Sequence, residues 1–481
     1  MSDDKNAFLA YHEPDIVSIL TLISFFLFLG IAEWIADKIL RAGLIGQIIV
    51  GLIYGVPIAN ILALDWQETF LALGYIGLIL IIFEGGLTIR LDLLLKNFVL
   101  SVVAALLGVL TPIVLSFALL HAGFGHTALE AFIVGTALCS TSLGTTFVVI
   151  NSASTKGQDY SQTRIGTVLI SAAVLDDVCG LVLVSVIHQL RGIADGERLG
   201  WIIGRPILAS GLLAILTPVV AKFIAGPLFR KMIEPRLKTR KGHRVVNLVV
   251  MVGVLAAFLA IAAYAGASVL FGAFLAGAFV SSLRKSDGAA DQEAEFTDTF
   301  NNYLGGAQKY ILQPLFFASI GFAIPFVDLW SGEVIWKGIV FTMLMVLSKV
   351  IVGIVVPVWD VISTRRRQST ECKTSKRSLW RSGWAPATLL GTAMVARGEI
   401  GLLIIQIGLN ETPFLTKKAF VIGVWAIILN TIIGPVSVGF LLKRIGPQIL
   451  DDKRWGVQVK SGDTDLESPE ENGEGRLGQG P

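Results

Sequence analysis

Apolar runs, each long enough for one membrane crossing, follow one another along this chain with short polar stretches between them. A hydrocarbon core about 30 Å thick takes about 20 apolar residues wound as an α-helix, which satisfies its own backbone hydrogen bonds where lipid offers none. Thirteen spanning helices are predicted, over 16–33, 43–62, 69–88, 98–120, 128–150, 164–188, 201–225, 245–265, 267–283, 310–326, 334–359, 385–409 and 415–442. The stretch 245–283 is too long for a single crossing, and Tyr264, Gly266 and Ser268 mark where it divides.

The loops orient these spans. Lys and Arg collect in loops 34–42, 89–97, 151–163, 226–244, 284–309 and 360–384 and after 442. Loops 63–68, 121–127, 327–333 and 410–414 and the turn near 266 carry neither, and only loop 189–200, with Arg191 and Arg198, breaks the alternation. Basic loops stay on the cytoplasmic side. The N-terminal segment 1–15 is therefore expected outside, the transmembrane domain over 16–442, and the tail 443–481 in the cytoplasm. An odd number of spans gives that arrangement. It also lets six spans, one linking span and six inverted spans follow in order, a transporter architecture with interrupted helices at mid-membrane. The tail from Asp451 to Pro481 is rich in Gly, Glu, Asp and Ser, lacks apolar periodicity and is expected to be disordered.

Composition narrows the class. The 481 residues are 54% hydrophobic and 16% charged, against about 25% charged in a soluble domain, and mean hydropathy is +0.72. A disordered chain, a nucleic-acid-binding protein and an ordinary soluble enzyme are excluded. The basic loops are topology signals, so the expected surroundings are membrane lipid and not nucleic acid. Cys139, Cys179 and Cys372 have neither disulfide-framework nor metal spacing. The acidic N-terminus lacks the basic start of a secretory signal, so the first apolar run reads as a retained helix.

Candidate chemistry lies in the ionisable residues inside spans, each costing about 2.5–3.5 kcal/mol on insertion scales. Asp176 and Asp177 sit mid-span in AAVLDDVCGLVL, and Lys349 in FTMLMVLSKVIVG. Neighbours on a helix point about 100° apart, so one aspartate can face a water-filled cavity while the other faces a partner helix. Lys349 needs a carboxylate to keep its proton, and either aspartate can serve. The bland alternatives are a buried ion pair that fixes helix register and a lysine snorkelling to the surface. The polar run TALCSTSLGTTFVV places Thr141, Ser142, Gly144, Thr145 and Thr146 inside a span, where an interrupted helix offers oxygens to a cation and packing by small residues is the alternative. In MVARGEIGL, Gly398 between Arg397 and Glu399 invites a second break, the two charges neutralising half-helix ends. Glu84 in FEGGL reads as interfacial, and GLIYG (51–55) as a close-packing motif for two helices or two protomers.

These motifs, with GLIGQIIVGLIYGVP, FGAFLAGAFV and PLFFASIG, occur in an order that resembles the monovalent cation:proton antiporter-2 family, in particular its NapA-type sodium/proton antiporters, over residues 40–440. The resemblance implies thirteen helices in a fixed dimerisation part and a mobile core part, and a homodimer. It implies two unwound helices that cross at mid-membrane, one holding Thr141 and Ser142 and the other Arg397 and Glu399. Asp177 would carry the cation or the proton, with Asp176 beside it in the ion site and paired with Lys349, a combination similar to the electrogenic branch. Glu84 departs from the uncharged residue of many relatives. Sodium, lithium and potassium are all carried within the family, and the tail is too short for a nucleotide-binding regulatory domain.

The expected mechanism is competition for one carboxylate. Desolvation disfavours an empty, charged Asp177, so a proton or a cation neutralises it before it crosses. If cation binding also frees Lys349 to lose a proton, two protons move per cation. The transported ions are the only small molecules this scheme needs, and no cofactor is expected. Rival readings are a passive cation channel or potassium efflux pathway, an intramembrane aspartyl protease and a retinal-type photoreceptor built on Lys349. The protease needs aspartates on facing helices, whereas these are neighbours on one.

Overall fold

Each of the thirteen predicted crossings coincides with helix in the computed structural model, which describes residues 13–89, 97–142, 160, 163–191, 199–233, 240–283, 296–367, 383–450, 452 and 454–456. The helices are α1 Ile16–Leu40, α2 Gly43–Tyr54, α3 Leu64–Leu87, α4 Phe98–Ser116, α5 Ala128–Ala137, α6 Arg164–Gln189 and α7 Leu199–Val220. They continue as α8 Arg240–Ala265, α9 Val269–Ser282, α10 Gln313–Phe322, α11 Gly332–Val350, α12 Trp384–Ala393, α13 Glu399–Glu411 and α14 Lys417–Leu450. No strand occurs among the described residues. The protein is an all-α polytopic membrane protein.

Local chemistry sets the boundaries. The side chain of Asp15 caps α1 by accepting from Val17 N–H, and Arg41 ends the helix in the left-handed region at φ 56°. The long apolar stretch divides where it was expected to. Gly266 takes φ +80°, which only glycine adopts without strain, and the Ser268 hydroxyl then caps α9 by accepting from Leu270 N–H. The helix of α11 tightens over Ile351–Ile354 and continues through Val355–Arg367.

Two groups of helices pack most densely among themselves and share one continuous apolar core where they meet. In one, α2, α3, α9 and α10 pack face to face, with α1 against α2 and α8 against α9. GLIYG works here within one chain: a Cβ on Gly51 would run into the carbonyl of Ala318 on α10, so its absence lets the two backbones touch. In the other group, α4, α5, α6, α11, α12, α13 and α14 surround the charged residues of the sequence. Helix α7 packs on both α6 and α9, linking the groups.

The last helix runs beyond its predicted end at 442 to Leu450, and the segment after it folds back. Trp455 is fully buried, and its Nε1 donates to Asp360 at 2.9 Å. The N–H groups of Arg164 and Ile165 donate to the carbonyls of Gly456 and Trp455 at 3.1 and 3.2 Å, occupying two orphan donors at the start of α6. Helix and a buried tryptophan therefore occur within the stretch expected to form the tail. One aromatic in a polar sequence has no periodicity to announce it. Residues 457–481 lie outside the described residues.

Candidate functional site

Two predicted spans are interrupted, and their breaks lie against each other. Helix α5 stops at Ala137, α12 stops at Ala393, and α13 starts only at Glu399. Between them Ser142 N–H donates to the Ala396 carbonyl at 2.9 Å. Gly398 makes the approach possible: a Cβ there would fall 2.7 Å from both Cβ and Oγ of Ser142. Helix α14 supports the second break, with the Thr431 hydroxyl donating to the Arg397 carbonyl at 3.0 Å.

An interrupted helix leaves carbonyls unpartnered at its C-terminal end and N–H groups at the next N-terminal end. Arg397 is fully buried and brings Nη1 to the carbonyls of Ser140 and Cys139 at 3.0 and 3.4 Å. Its charge thus meets the negative end of α5, not that of its own segment. Glu399 is the first residue of α13, at the positive end of that helix dipole.

The aspartates of α6 take different surroundings. Asp176 is fully buried. Its Oδ2 accepts from Lys349 Nζ and from the Thr141 hydroxyl, both at 2.6 Å. Lys349, also fully buried, spends its other donors on the Cys139 carbonyl at 2.5 Å and Thr141 Oγ1 at 3.1 Å. The three ammonium protons are all engaged. Gly108 of α4 gives the pair room, since a Cβ there would stand 3.3 Å from Nζ.

Asp177 is only half-buried. Its Oδ1 accepts from the Ser140 hydroxyl at 2.8 Å, and among the described residues no cationic side chain forms an ion pair with it. Glu399, also half-buried, stands close enough to act on it electrostatically. Three carboxylates and two cations therefore meet at the crossing. With all five ionised, the cluster is one negative charge from neutral, which one proton or one monovalent cation supplies.

The structure brings Asp176, Asp177, Thr141, Lys349, Arg397 and Glu399 together. Ser142 touches the opposite break through its backbone and Gly398, and no hydrogen bond joins its side chain to either aspartate among the described residues. Gly144, Thr145 and Thr146 lie outside the described residues. Sequence reasoning missed Ser140, which holds Asp177. The available signal was its place in the same polar run, three residues past the end of α5.

Known proteins point the same way. Residues 16–444 match the family described as sodium/hydrogen exchanger, transmembrane. The chain is 25% identical over 411 residues to an Na⁺/H⁺ antiporter of Enterococcus hirae, a match covering 83% of this chain and 92% of that protein. It is 24% identical over 398 residues to the Na⁺/H⁺-K⁺ antiporter GerN of Bacillus cereus, covering 82% and 88%. The solved structure of the sodium proton antiporter MjNhaP1 from Methanocaldococcus jannaschii superposes with a TM-score of 0.64 at 17% identity, covering 89% of this chain and 98% of that one. At that identity the likeness is one of fold. The family match extends over most of the sequence and takes in both breaks and the aspartate pair: this chain belongs to the sodium/hydrogen exchanger family.

Proposed function

We infer that this protein exchanges a monovalent cation, Na⁺ foremost, for protons across a membrane by alternating access, and that Asp177 is the carboxylate for which the two compete. The observation that carries this reading is the inequality of the two aspartates. Asp176 is neutralised by Lys349 at 2.6 Å, whereas Asp177 is half-buried with a single hydroxyl partner. An empty Asp177 leaves net charge in a low-dielectric wall, at a cost of several kcal/mol. Loaded with a proton or a cation it moves without that penalty, and this difference turns leak into exchange. Ser140 and Glu399 are the groups best placed to share a bound cation.

Lys349 makes the cycle electrogenic in this account. A cation that draws Asp176 toward it weakens the ion pair, and a buried amine without its carboxylate releases a proton. The N-terminus lies outside and the C-terminus in the cytoplasm, as the basic loops require, and the outward apolar faces of α1 and α7, with Ile39 and Leu208 each 70% exposed, meet lipid or the second protomer of a homodimer. The family is one of transporters, not enzymes, and Asp176, held by Lys349, cannot form a protease dyad with its neighbour.

The test is proton flux in proteoliposomes driven by Na⁺, Li⁺ or K⁺ gradients. The native protein moves protons against their own gradient, and Asp177→Asn abolishes this. Full exchange by Asp177→Asn removes the proposal.

A further inference from the structure

A hydroxyl carries one proton, and Thr141 has two acceptors for it. Its Oγ1 lies 2.6 Å from Asp176 Oδ2 and 3.2 Å from the carbonyl oxygen of Met394. The same oxygen accepts from Lys349 Nζ at 3.1 Å. Met394 follows the last residue of α12, so its carbonyl is one that a helix end leaves without an intrahelical partner. No backbone N–H among the described residues donates to it. Arg397 does not serve it either: Nη1 turns to the carbonyls of Cys139 and Ser140, and Nε and Nη2 meet no acceptor. Thr141 is 1% exposed and Met394 fully buried, which shuts out bulk water. Two buried acceptors thus depend on a single proton.

Where the proton goes decides how the two breaks are joined. With it on Asp176, the link between them is the Ser142 N–H bond to the Ala396 carbonyl at 2.9 Å. With it on Met394, consecutive residues of one break, Thr141 and Ser142, hold two carbonyls of the other. Asp176 sets the choice. An ionised carboxylate is the stronger acceptor, so it keeps the hydroxyl while Lys349 holds it beside Thr141. A carboxylate that turns to a bound cation gives the hydroxyl up, and a rotation about one side-chain bond brings the proton to the carbonyl.

We propose that Thr141 is a positioning residue and not a ligand of the transported cation: its hydroxyl turns from Asp176 to the Met394 carbonyl when the cation engages Asp176, and so fastens the two breaks together in the loaded state. This rests on the exchange reading above and adds to it how occupancy of the aspartates reaches the backbone of α12 and α13. An unloaded crossing is held by one bond between its breaks, and a loaded one by two.

The test compares Thr141→Val, which keeps the shape without the hydroxyl, with Thr141→Ser, which keeps the hydroxyl. Amide hydrogen exchange of the purified full-length protein is followed in NaCl and in choline chloride at one ionic strength, and Na⁺-driven proton flux is measured on the same preparations in proteoliposomes. In the native protein Na⁺ should slow exchange over residues 394–399 by about fivefold or more. The slowing is lost in Thr141→Val and returns in Thr141→Ser. Maximal flux falls about tenfold in Thr141→Val and recovers in Thr141→Ser, while the half-saturating Na⁺ concentration shifts by less than about threefold in either. A merely loosened fold speeds exchange in both salts alike and leaves the difference between them in place. No Na⁺-dependent slowing in the native protein, slowing that survives Thr141→Val, or native maximal flux in that variant overturns the proposal. So does a half-saturating concentration raised about tenfold with maximal flux unchanged, which would make the hydroxyl a ligand. Asp177→Asn separates the two levels: flux that survives it removes the exchange reading, whereas any of the failures above with Asp177-dependent flux intact strikes the role of Thr141 alone.

Discussion

Removing Lys349 exposes the energetics of the crossing most sharply. Its Nζ is 2.6 Å from Asp176 Oδ2, and neither side chain has any solvent exposure. In Lys349→Ala, Asp176 keeps only the Thr141 hydroxyl on Oδ2, and its Oδ1 already lacks a partner. Breaking a buried pair by deleting one member costs about 3–5 kcal/mol, because the survivor is left charged and unpaired. The Cys139 carbonyl loses its ammonium donor as well. Asp176 can escape part of this by taking up a proton, which places the expected loss toward the lower end. Asp176→Asn/Lys349→Ala leaves no charge stranded and should be more stable than Lys349→Ala alone, with a coupling energy of about 2 kcal/mol or more. Thermal unfolding of the three proteins in one detergent reads this cycle. Exchange measured in proteoliposomes under a clamped membrane potential reads the function: native exchange responds to voltage, and Lys349→Ala does not. A Lys349→Ala protein as stable as the native one, and as voltage-sensitive, would refute the reasoning.

Three further outcomes follow from neighbouring contacts. Ser140→Ala removes the only hydrogen bond to Asp177 among the described residues. Hydrogen bonds to charged groups are worth about 1.5–3 kcal/mol, and at this partly buried site apparent cation affinity should fall about tenfold, measured as the cation concentration that half-saturates proton flux. Gly398→Ala places a Cβ 2.7 Å from the Ser142 side chain. Overpacking of this kind costs about 1–3 kcal/mol, so transport should fall steeply and return in part in Gly398→Ala/Ser142→Gly, as flux assays would show. Trp455→Ala opens the fully buried site beside Asp360 and Arg164. Limited proteolysis should cut after α14 sooner than in the native protein, while cation-driven flux persists.

Much of this organisation can be read in the sequence because lipid punishes exceptions. Spans are legible from length, and the division at Gly266 from an apolar stretch too long for one crossing. Asp176, Asp177 and Lys349 stand out because charge in a span is costly, and the breaks because glycine and hydroxyl side chains interrupt apolar runs. What cannot be read is set by three-dimensional phase. A 100° step between neighbouring aspartates does not say which one meets Lys349. The Cys139 and Ser140 carbonyls, which hold Lys349 and Arg397, belong to the backbone and leave no mark in side-chain chemistry. Helix ends were displaced where amphipathic residues at the membrane rim continue the helix, as in α1 to Leu40 and α14 to Leu450. Trp455 was hidden by its isolation in a polar stretch.

The central claim is that proton and cation exclude each other at one carboxylate. Cation binding to the purified protein, titrated across pH with proton release recorded at the same time, tests it directly. The account predicts that apparent affinity weakens by at least about tenfold for each pH unit of acidification below the titration of the site, rising toward about a hundredfold where Lys349 also gives up its proton, that each bound cation displaces protons, and that both effects vanish in Asp177→Asn. Affinity that stays constant while transport still changes with pH, or binding without proton release, would contradict it.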